Sequence, residues 1–242
     1  MKDDLYFKCE NLYLIGDLHL SIGIENKEMD KFPSFLNHFE KVVKALESLK
    51  ENDILILCGD TCWAKRYYDA FETLDFLDKF KGKKIIFRGN HDYWFEKLNT
   101  LNSKYEDIYF IKNQNVIINK KAFILHKGYY VGDIYTEEDI KILKRENLRI
   151  LSSLDYFIKN GFNKKDIYLA LHYPPILKLD FQRGNSNLDI YDTIVNVGIN
   201  TCFYGHIHGE NGIMEQVNGI YGNTTFRCVS SDIIKFEPYK LF

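Results

Sequence analysis

The chain has 242 residues, a length that suits one globular domain, and we expect a single domain over residues 1–242. Apolar residues make up 45% of the chain, which is enough to bury a continuous core and excludes a disordered protein. The formal charge of −2 at pH 7 gives no sign of the broad basic face that non-specific nucleic-acid binders usually carry.

Short apolar runs alternate with helical patterns along the chain. The runs that predict buried strands are residues 12–15, 54–58, 85–87, 167–171 and 201–204. Apolar residues at three-to-four spacing predict amphipathic helices over residues 35–49, 71–80 and 140–158. Thr136 and the acidic residues that follow it suit the start of the last of these helices.

This alternation predicts an α/β layered fold with parallel strand pairs. Residues 116–118 and 123–125 flank Asn119 and Lys120, which suit a hairpin turn, and the tail over residues 225–236 is rich in strand-forming residues. We therefore expect a mixed sheet, or two sheets packed together. Residues 21–34 and 178–187 are expected to be loops.

Five short polar clusters follow the predicted strands directly. They are Gly16-Asp17-Leu18-His19, Gly59-Asp60, Gly89-Asn90-His91-Asp92, His172 and Gly205-His206-Ile207-His208. The carboxyl ends of strands in open α/β sheets form the crevice that binds ligands, so we expect the clusters to share one edge. Five of the seven histidines lie inside these clusters, a concentration that random placement would not give.

The side chains of these clusters have the chemistry of metal ligands. Their carboxylates, amide and imidazoles are too many for one tetrahedral zinc and suit two ions that share a bridging carboxylate. Two cations about 3.5–4 Å apart can lower the pKa of a shared water and neutralise phosphate oxygens, so that hydroxide attacks the ester. Each cluster alone also fits a structural role: Asp17 and His19 a capped loop, Asp60 an ordinary turn, His172 a core histidine. Their joint occurrence in order favours the metal site.

In order and spacing the clusters resemble the motifs of the calcineurin-like metallophosphoesterase superfamily, D-x-H, G-D, G-N-H-[DE], H and G-H-x-H, over residues 17–208. The resemblance implies a four-layer αββα sandwich, in which two mixed β-sheets are flanked by helices and a dinuclear metal centre lies at the strand ends. The implied ligands are Asp17, His19 and His208 for one ion, Asn90, His172 and His206 for the other, and Asp60 as the bridge. His91, next to Asn90, is the implied catalytic residue, placed to contact the phosphate and protonate the leaving oxygen.

The segment after the second strand separates the chain from one branch of this superfamily. Serine/threonine protein phosphatases carry G-D-x-x-D-R-G there, whereas residues 59–65 lack that aspartate and arginine, and Asp92 stands where those enzymes usually carry glutamate. Protein phosphatase activity is therefore not expected. Residues 16–20, 88–94 and 172–175 are more similar to a bacterial branch of predicted phosphohydrolases.

We expect a phosphohydrolase that acts on a small phosphate ester, a monoester or a diester, with two divalent cations as cofactors. Manganese, iron and zinc all suit these ligands, and neither the metal nor the oligomeric state follows from the sequence. Two alternatives stay open. One is a phosphodiesterase or nuclease acting on nucleotides or nucleic acid, which the near-neutral charge disfavours. The other is a non-catalytic scaffold, which the complete ligand set disfavours.

Four residues near the motifs each have two interpretations. Arg88 contacts the substrate or forms a salt bridge beneath the site. Asp92 orients an imidazole or caps the segment that follows it. Arg183 contributes to specificity or is a solvated surface residue, and His126 stands at a strand end without matching a ligand position, so it is a candidate for the edge of the pocket. No substrate-binding residue is assigned.

The cysteines and the chain ends bear on the compartment. The five cysteines include no C-x-x-C pair, which favours reduced thiols in the cytosol. The N-terminus is acidic where a signal peptide would be apolar, and no run approaches the roughly 18–20 apolar residues of a transmembrane helix. We expect a cytoplasmic protein that does not enter a membrane.

Overall fold

Two β-sheets and seven helices make up the computed structural model, which describes residues 4–112, 114–132, 135–183 and 188–242, without the side chains of residues 182, 183 and 188. The strands are β1 (Leu5–Phe7), β2 (Leu12–Ile15), β3 (Ile54–Cys58), β4 (Lys83–Phe87), β5 (Ile108–Ile111), β6 (Asn115–Ile118), β7 (Lys121–His126), β8 (Ile167–Leu171), β9 (Thr201–Tyr204), β10 (Gly219–Tyr221), β11 (Thr224–Cys228) and β12 (Tyr239–Lys240). The helices are α1 (His38–Glu47), α2 (Phe71–Asp78), α3 (Leu98–Lys104), α4 (Glu137–Lys159), α5 (Lys178–Arg183), α6 (Leu188–Val197) and α7 (Gly209–Glu215).

The larger sheet has the strand order β1-β6-β7-β8-β9-β11-β10, and the smaller sheet has the order β12-β2-β3-β4-β5. Parallel strands form the centre of each sheet, β7-β8-β9-β11 in the larger and β2-β3-β4-β5 in the smaller. Antiparallel pairs occur at β6-β7, β10-β11 and β12-β2. Both sheets are therefore mixed.

Each sheet is covered on one face by the other sheet and on its other face by helices, so its central strands are buried on both faces. Successive side chains of a strand point to opposite sides of the sheet, so a doubly covered strand is apolar throughout. Ile54 and Ile56 of β3 lie in the core between the sheets, whereas Leu55 and Leu57 pack against α1 and α2. On the far side, α4 and α6 cover the larger sheet. This arrangement of helix, sheet, sheet and helix confirms the predicted four-layer αββα sandwich.

Most predicted elements are present. All five predicted strands form, and Asn119 and Lys120 both have positive φ angles, as the tight hairpin between β6 and β7 requires. Thr136 caps α4 in a capping box with Asp139, whose amide donates to the threonine hydroxyl oxygen. α4 has 23 residues, yet none of the helices that the structure describes is both long enough and apolar enough to cross a membrane.

Three predicted segments differ from the structure. The helix predicted from residue 35 begins at His38, because Pro33–Phe35 form a 3-10 turn and Asn37 takes a left-handed conformation at φ 54°. The loop predicted over residues 178–187 was wrong in its first part, since Lys178–Arg183 is α5. In the tail over residues 225–236, regular strand ends at Cys228.

Candidate metal centre

Loops at the carboxyl ends of five strands meet at an edge that the two sheets share. The loops after β2, β3 and β4 come from the smaller sheet, and those after β8 and β9 come from the larger. Backbone hydrogen bonds join neighbouring loops: the amide of Asp17 donates to the carbonyl of Gly59 (2.9 Å), and that of Gly205 donates to the carbonyl of His172 (3.0 Å). The polar clusters therefore lie together, as expected for parallel strands.

Four residues of these loops have left-handed backbone conformations. The φ angles are 60° at Asp17, 46° at His19, 49° at Asp60 and 75° at His206. Such angles are uncommon for residues with a Cβ and cost roughly 1–3 kcal/mol each. They turn the chain sharply as it leaves each strand. Strain of this kind in three converging loops is typical of a functional site.

Two glycines allow the loops after β3 and β4 to approach each other. Gly59 has a φ of 82°, and a Cβ added there would stand 2.7 Å from the Cα of Gly89 and 2.7 Å from Nδ1 of His172. A Cβ on Gly89 would overlap the carboxylate of Asp60. Neither position has room for a side chain, so both need glycine.

Asp17, His19 and His208 form one group whose ligand atoms lie within 4.8 Å of one another. Nε2 of His19 is 4.0 Å from Oδ1 of Asp17 and 3.4 Å from Nε2 of His208. Nε2 of His208 is 3.7 Å from the same Asp17 oxygen. Ligands at about 2.0–2.2 Å from a common ion stand roughly 3–4 Å apart, so this group could hold one ion.

Asp60, His172 and His206 form a second group with the same spacing limit. Nε2 of His172 is 3.6 Å from Oδ2 of Asp60 and 2.6 Å from Oδ1 of Asn90. Nδ1 of His172 faces the carbonyl of Cys58 at 3.2 Å, which assigns the proton to Nδ1 and leaves the Nε2 lone pair directed toward Asn90 and Asp60. Burial lowers the pKa of His172 and of His206 to about 3, so both imidazoles are neutral at pH 7, the form that binds metals.

Asp60 lies where the two groups meet. Its Oδ2 is 3.6 Å from Nε2 of His172 in the second group and 3.9 Å from Nε2 of His19 in the first. Its Oδ1 accepts a hydrogen bond from the amide of His91 at 2.8 Å, which fixes the orientation of the carboxylate. A single carboxylate oxygen therefore faces both groups of potential ligands.

The chemistry of these donors fits divalent metal ions. Burial raises the pKa of both carboxyl groups, that of Asp17 to about 7. Among the described residues, Oδ1 of Asp17 and Nδ1 of His19 are buried without a hydrogen-bond partner. A buried carboxylate oxygen without a partner is costly unless a cation accompanies it. Carboxylate and imidazole donors together suit manganese, iron and zinc.

Asp232 is a site residue that the sequence did not reveal. Its Oδ1 is 2.8 Å from Nδ1 of His208, and its Oδ2 accepts a hydrogen bond from the amide of Gly209 at 2.8 Å. The Nδ1–H of His208 therefore donates to the carboxylate, and Nε2 faces Asp17. A carboxylate behind a metal-binding histidine fixes its tautomer and makes it a stronger ligand. Asp232 follows β11 in an irregular segment without a motif.

His91 stands at the rim of the centre. It is half-buried, and its ring centroid is 5.8 Å from that of His19 and 4.4 Å from that of Trp63. Trp63 also stacks on His19, at 4.8 Å, and so forms one wall of the centre. Burial lowers the pKa of His91. A phosphate bound beside the ring would raise the pKa of His91, because nearby negative charge favours the imidazolium.

Asp92 binds backbone amides that precede it in the chain, which matches neither the predicted imidazole contact nor the predicted cap of the segment that follows it. Its carboxylate accepts hydrogen bonds from the amides of Gly89 (2.8 Å) and Thr61 (2.9 Å) and from Nε1 of Trp94 (3.0 Å). It therefore ties the loop after β3 to the loop after β4. Two further predicted residues, Arg88 and His126, line a cavity beside the centre. The side chain of Arg183 lies outside the described residues.

We compared the chain with protein families, curated proteins and solved structures. The family model described as calcineurin-like phosphoesterase matches residues 11–210. No curated protein matches the chain significantly. Among solved structures, a protein of unknown function from Aquifex aeolicus is 17% identical, with a TM-score of 0.45 and coverage of 95% of each chain. The sulfate thiohydrolase SoxB of Thermus thermophilus is 11% identical, with a TM-score of 0.48, over 92% of this chain and 52% of SoxB, so the chain spans about half of that protein.

Proposed function

Since the chain belongs to the calcineurin-like phosphoesterase family, a family of metal-dependent hydrolases of ester bonds, we propose that it hydrolyses a small phosphate ester at a centre of two divalent cations. The proposed ligands are Asp17, His19 and His208 for one cation, Asn90, His172 and His206 for the other, and Asp60 for both. Manganese, iron and zinc are the proposed metals, since all three accept this mixture of oxygen and nitrogen donors.

One observation carries the proposal. Oδ2 of Asp60 faces Nε2 of His19 at 3.9 Å and Nε2 of His172 at 3.6 Å, and these histidines belong to different groups. Asp17 also approaches both histidines, but its contact with His172, at 3.8 Å, is to Nδ1, the ring atom that faces the carbonyl of Cys58. The position of Asp60 therefore supports a shared ligand between two ions.

When bound, the two cations would supply a hydroxide nucleophile near neutral pH and neutralise the phosphate oxygens. The residues of the protein would hold the ligands in fixed positions and donate a proton to the leaving group. His91 is half-buried beside the proposed ligands, and its amide donates a hydrogen bond to Asp60, which supports a role for its imidazole at the leaving group. We assign His91 as the residue that contacts the phosphate and protonates the leaving oxygen.

A metal-reconstitution assay tests the function. The purified protein is stripped with a chelator and dialysed. It is then supplied with manganese, iron or zinc and assayed with p-nitrophenyl phosphate and with bis-p-nitrophenyl phosphate. We expect hydrolysis of at least one ester that depends on the added metal. The ratio of the two rates separates a monoesterase from a phosphodiesterase. Absence of turnover with all three metals, in protein that binds them, would leave the scaffold interpretation.

The contact between Asp232 and His208 gives a separate prediction. Asp232→Asn is expected to weaken metal binding by about 10–100-fold while the fold persists. The neutral amide that replaces the carboxylate makes the imidazole of His208 a less basic ligand. A chelator-competition titration measures the affinity. Asp69→Asn is the matched control, since Asp69 pairs with Arg66 on the surface. Equal affinities in the two variants would show that Asp232 does not support a metal ligand.

A further inference from the structure

A second feature of the molecule is a cavity of about 420 Å³ between the strand ends and α4. Its charged lining residues are Arg88, Lys112, Lys127, Arg145, Glu146 and Arg149. We call it the basic pocket, because it gathers five cations and one acid in a chain whose net charge is −2. The proposed function does not account for this concentration of positive charge.

The single acid of the basic pocket is already engaged. Oε1 of Glu146 accepts hydrogen bonds from Arg149 (2.8 Å) and Arg145 (3.1 Å), and its Oε2 is 3.4 Å from Nε2 of His126. Nδ1 of His126 accepts a hydrogen bond from the amide of Gly128 at 2.9 Å, so its proton is on Nε2, directed at Glu146. Burial lowers the pKa of His126 to about 4, which keeps the ring neutral at pH 7. Glu146 is thus paired with the two helix arginines, whose charge it offsets only in part, and among the described residues it forms no ion pair with the strand-end cations.

Arg88 and Lys127 are two of the three strand-end cations of the basic pocket, and Lys112 is the third. Neither Arg88 nor Lys127 forms an ion pair within the part of the chain that the structure describes, and Nε of Arg88 is buried there without a hydrogen-bond partner. Lys127 is half-buried, and its ammonium is 5.4 Å from the ring centroid of Tyr173. Burial lowers the pKa of Lys127, and the charge of Arg88 lowers it further. Two neighbouring, partly desolvated cations are unfavourable until an anion joins them.

The basic pocket lies next to the proposed metal ligands. Arg88 is separated from Asn90 only by Gly89. The carbonyl of Lys127 accepts a hydrogen bond from the amide of Tyr173 at 2.9 Å, and Tyr173 directly follows His172. The loop after β4 therefore contributes to both spaces, and the segment after β7, which lines the basic pocket, is hydrogen-bonded to the loop that carries His172. A substrate with one of its groups at the metal centre would have a second group in the basic pocket.

We propose that Arg88 and Lys127 bind a second phosphate group of the substrate while the phosphate to be cleaved lies at the metal centre. The substrate class is then a small molecule with two phosphate groups. This inference rests on the proposed function. A guanidinium pairs with phosphate oxygens through two parallel hydrogen bonds, and an ammonium adds a point charge. The volume of the cavity is in the range of pockets that hold small ligands.

Kinetics on paired substrates test the proposal. Alkanediol bisphosphates of increasing length are compared with the matching hydroxyalkyl monophosphates in the manganese-loaded enzyme. For at least one alkane chain length, the KM of the bisphosphate is expected to be lower than that of the matching monophosphate by about tenfold or more. A charge-assisted hydrogen bond contributes a difference of this size. Arg88→Gln and Lys127→Met are each expected to remove most of this preference, through a larger rise in KM for the bisphosphate than for the matching monophosphate. Lys159→Met is the control, since Lys159 pairs with Asp155 near the end of α4.

Direct binding separates this proposal from the proposed function. Inorganic pyrophosphate is titrated into chelator-treated protein by calorimetry, where no hydrolysis occurs. We expect binding that weakens by about tenfold or more in Arg88→Gln and in Lys127→Met but not in Lys159→Met. Protein that binds pyrophosphate in this way but hydrolyses no ester would overturn the proposed function and retain an anion site. An active enzyme without a bisphosphate preference at any length, or a preference that survives loss of both cations, would overturn the basic pocket as a phosphate subsite.

Discussion

Asp60→Asn is expected to lose metal and to lower kcat/KM for phosphate-ester hydrolysis on the order of a thousandfold. This factor corresponds to a rise of about 4 kcal/mol in the activation barrier. The substitution removes the negative charge that faces both His19 and His172, at 3.9 and 3.6 Å. The amide oxygen can still accept the hydrogen bond of the His91 amide, so the loop keeps its main anchor. Metal content per chain, measured by elemental analysis after gel filtration, is the direct readout.

Asp53→Asn is the matched control for this experiment. Asp53 is a buried carboxylate that precedes the same strand, β3, at the end away from the site, and it accepts hydrogen bonds from Asn11 (2.6 Å) and the amide of Lys50 (2.9 Å). Its replacement should lower stability and leave the metal content unchanged. Metal loss in both variants would trace the effect to the fold, and full metal content with full activity in Asp60→Asn would show that the bridging assignment is wrong.

His91→Ala is expected to keep both metals and lose most turnover toward esters with poor leaving groups. General acid catalysis contributes roughly 10²–10⁴-fold when the leaving oxygen needs a proton. An alkyl phosphate should therefore lose about that factor, whereas p-nitrophenyl phosphate, whose leaving group departs as an anion, should lose far less. A series of aryl and alkyl phosphates measures the dependence of kcat/KM on leaving-group pKa, which should steepen in the variant.

The same series distinguishes a chemical role of His91 from a structural one. His38→Ala serves as the control, because His38 is buried and its Nε2 hydrogen-bonds the carbonyl of Leu18 at 2.6 Å. That variant should lower stability without changing the leaving-group dependence. Added imidazole should restore part of the lost activity in His91→Ala. Equal losses for good and poor leaving groups, or loss of metal, would contradict the assignment of His91 as the proton donor.

The layered fold could be predicted because its main elements carry their own periodic signals. β3 and β8 are apolar on both faces, and the apolar spacing of α4 repeats over many turns. The division into two sheets followed only from the family resemblance and could not be predicted from periodicity. It depends on short edge strands such as β1, β5, β10 and β12, whose two to four residues carry no readable alternation. Their pairing depends on contacts distant in sequence, such as Leu5 with Val116.

The proposed metal ligands could be predicted for a related reason. They directly follow strands, so parallel order alone brings them to one edge. Asp232 escaped prediction because it supports His208 from an irregular segment 24 residues further along the chain. The basic pocket could not be predicted because its cations come from α4 and from the residues directly after β4, β5 and β7, and the net charge of the whole chain is near zero. Both features arise from tertiary contacts rather than from any local pattern.

The most direct test of a two-metal centre is anomalous diffraction from crystals of the manganese-loaded protein. We predict two anomalous peaks for each chain, one among Asp17, His19 and His208 and the other among Asp60, His172 and His206, with the Asp60 carboxylate in contact with both. A single peak, or two peaks of which only one touches Asp60, would contradict the shared ligand on which the proposed chemistry depends.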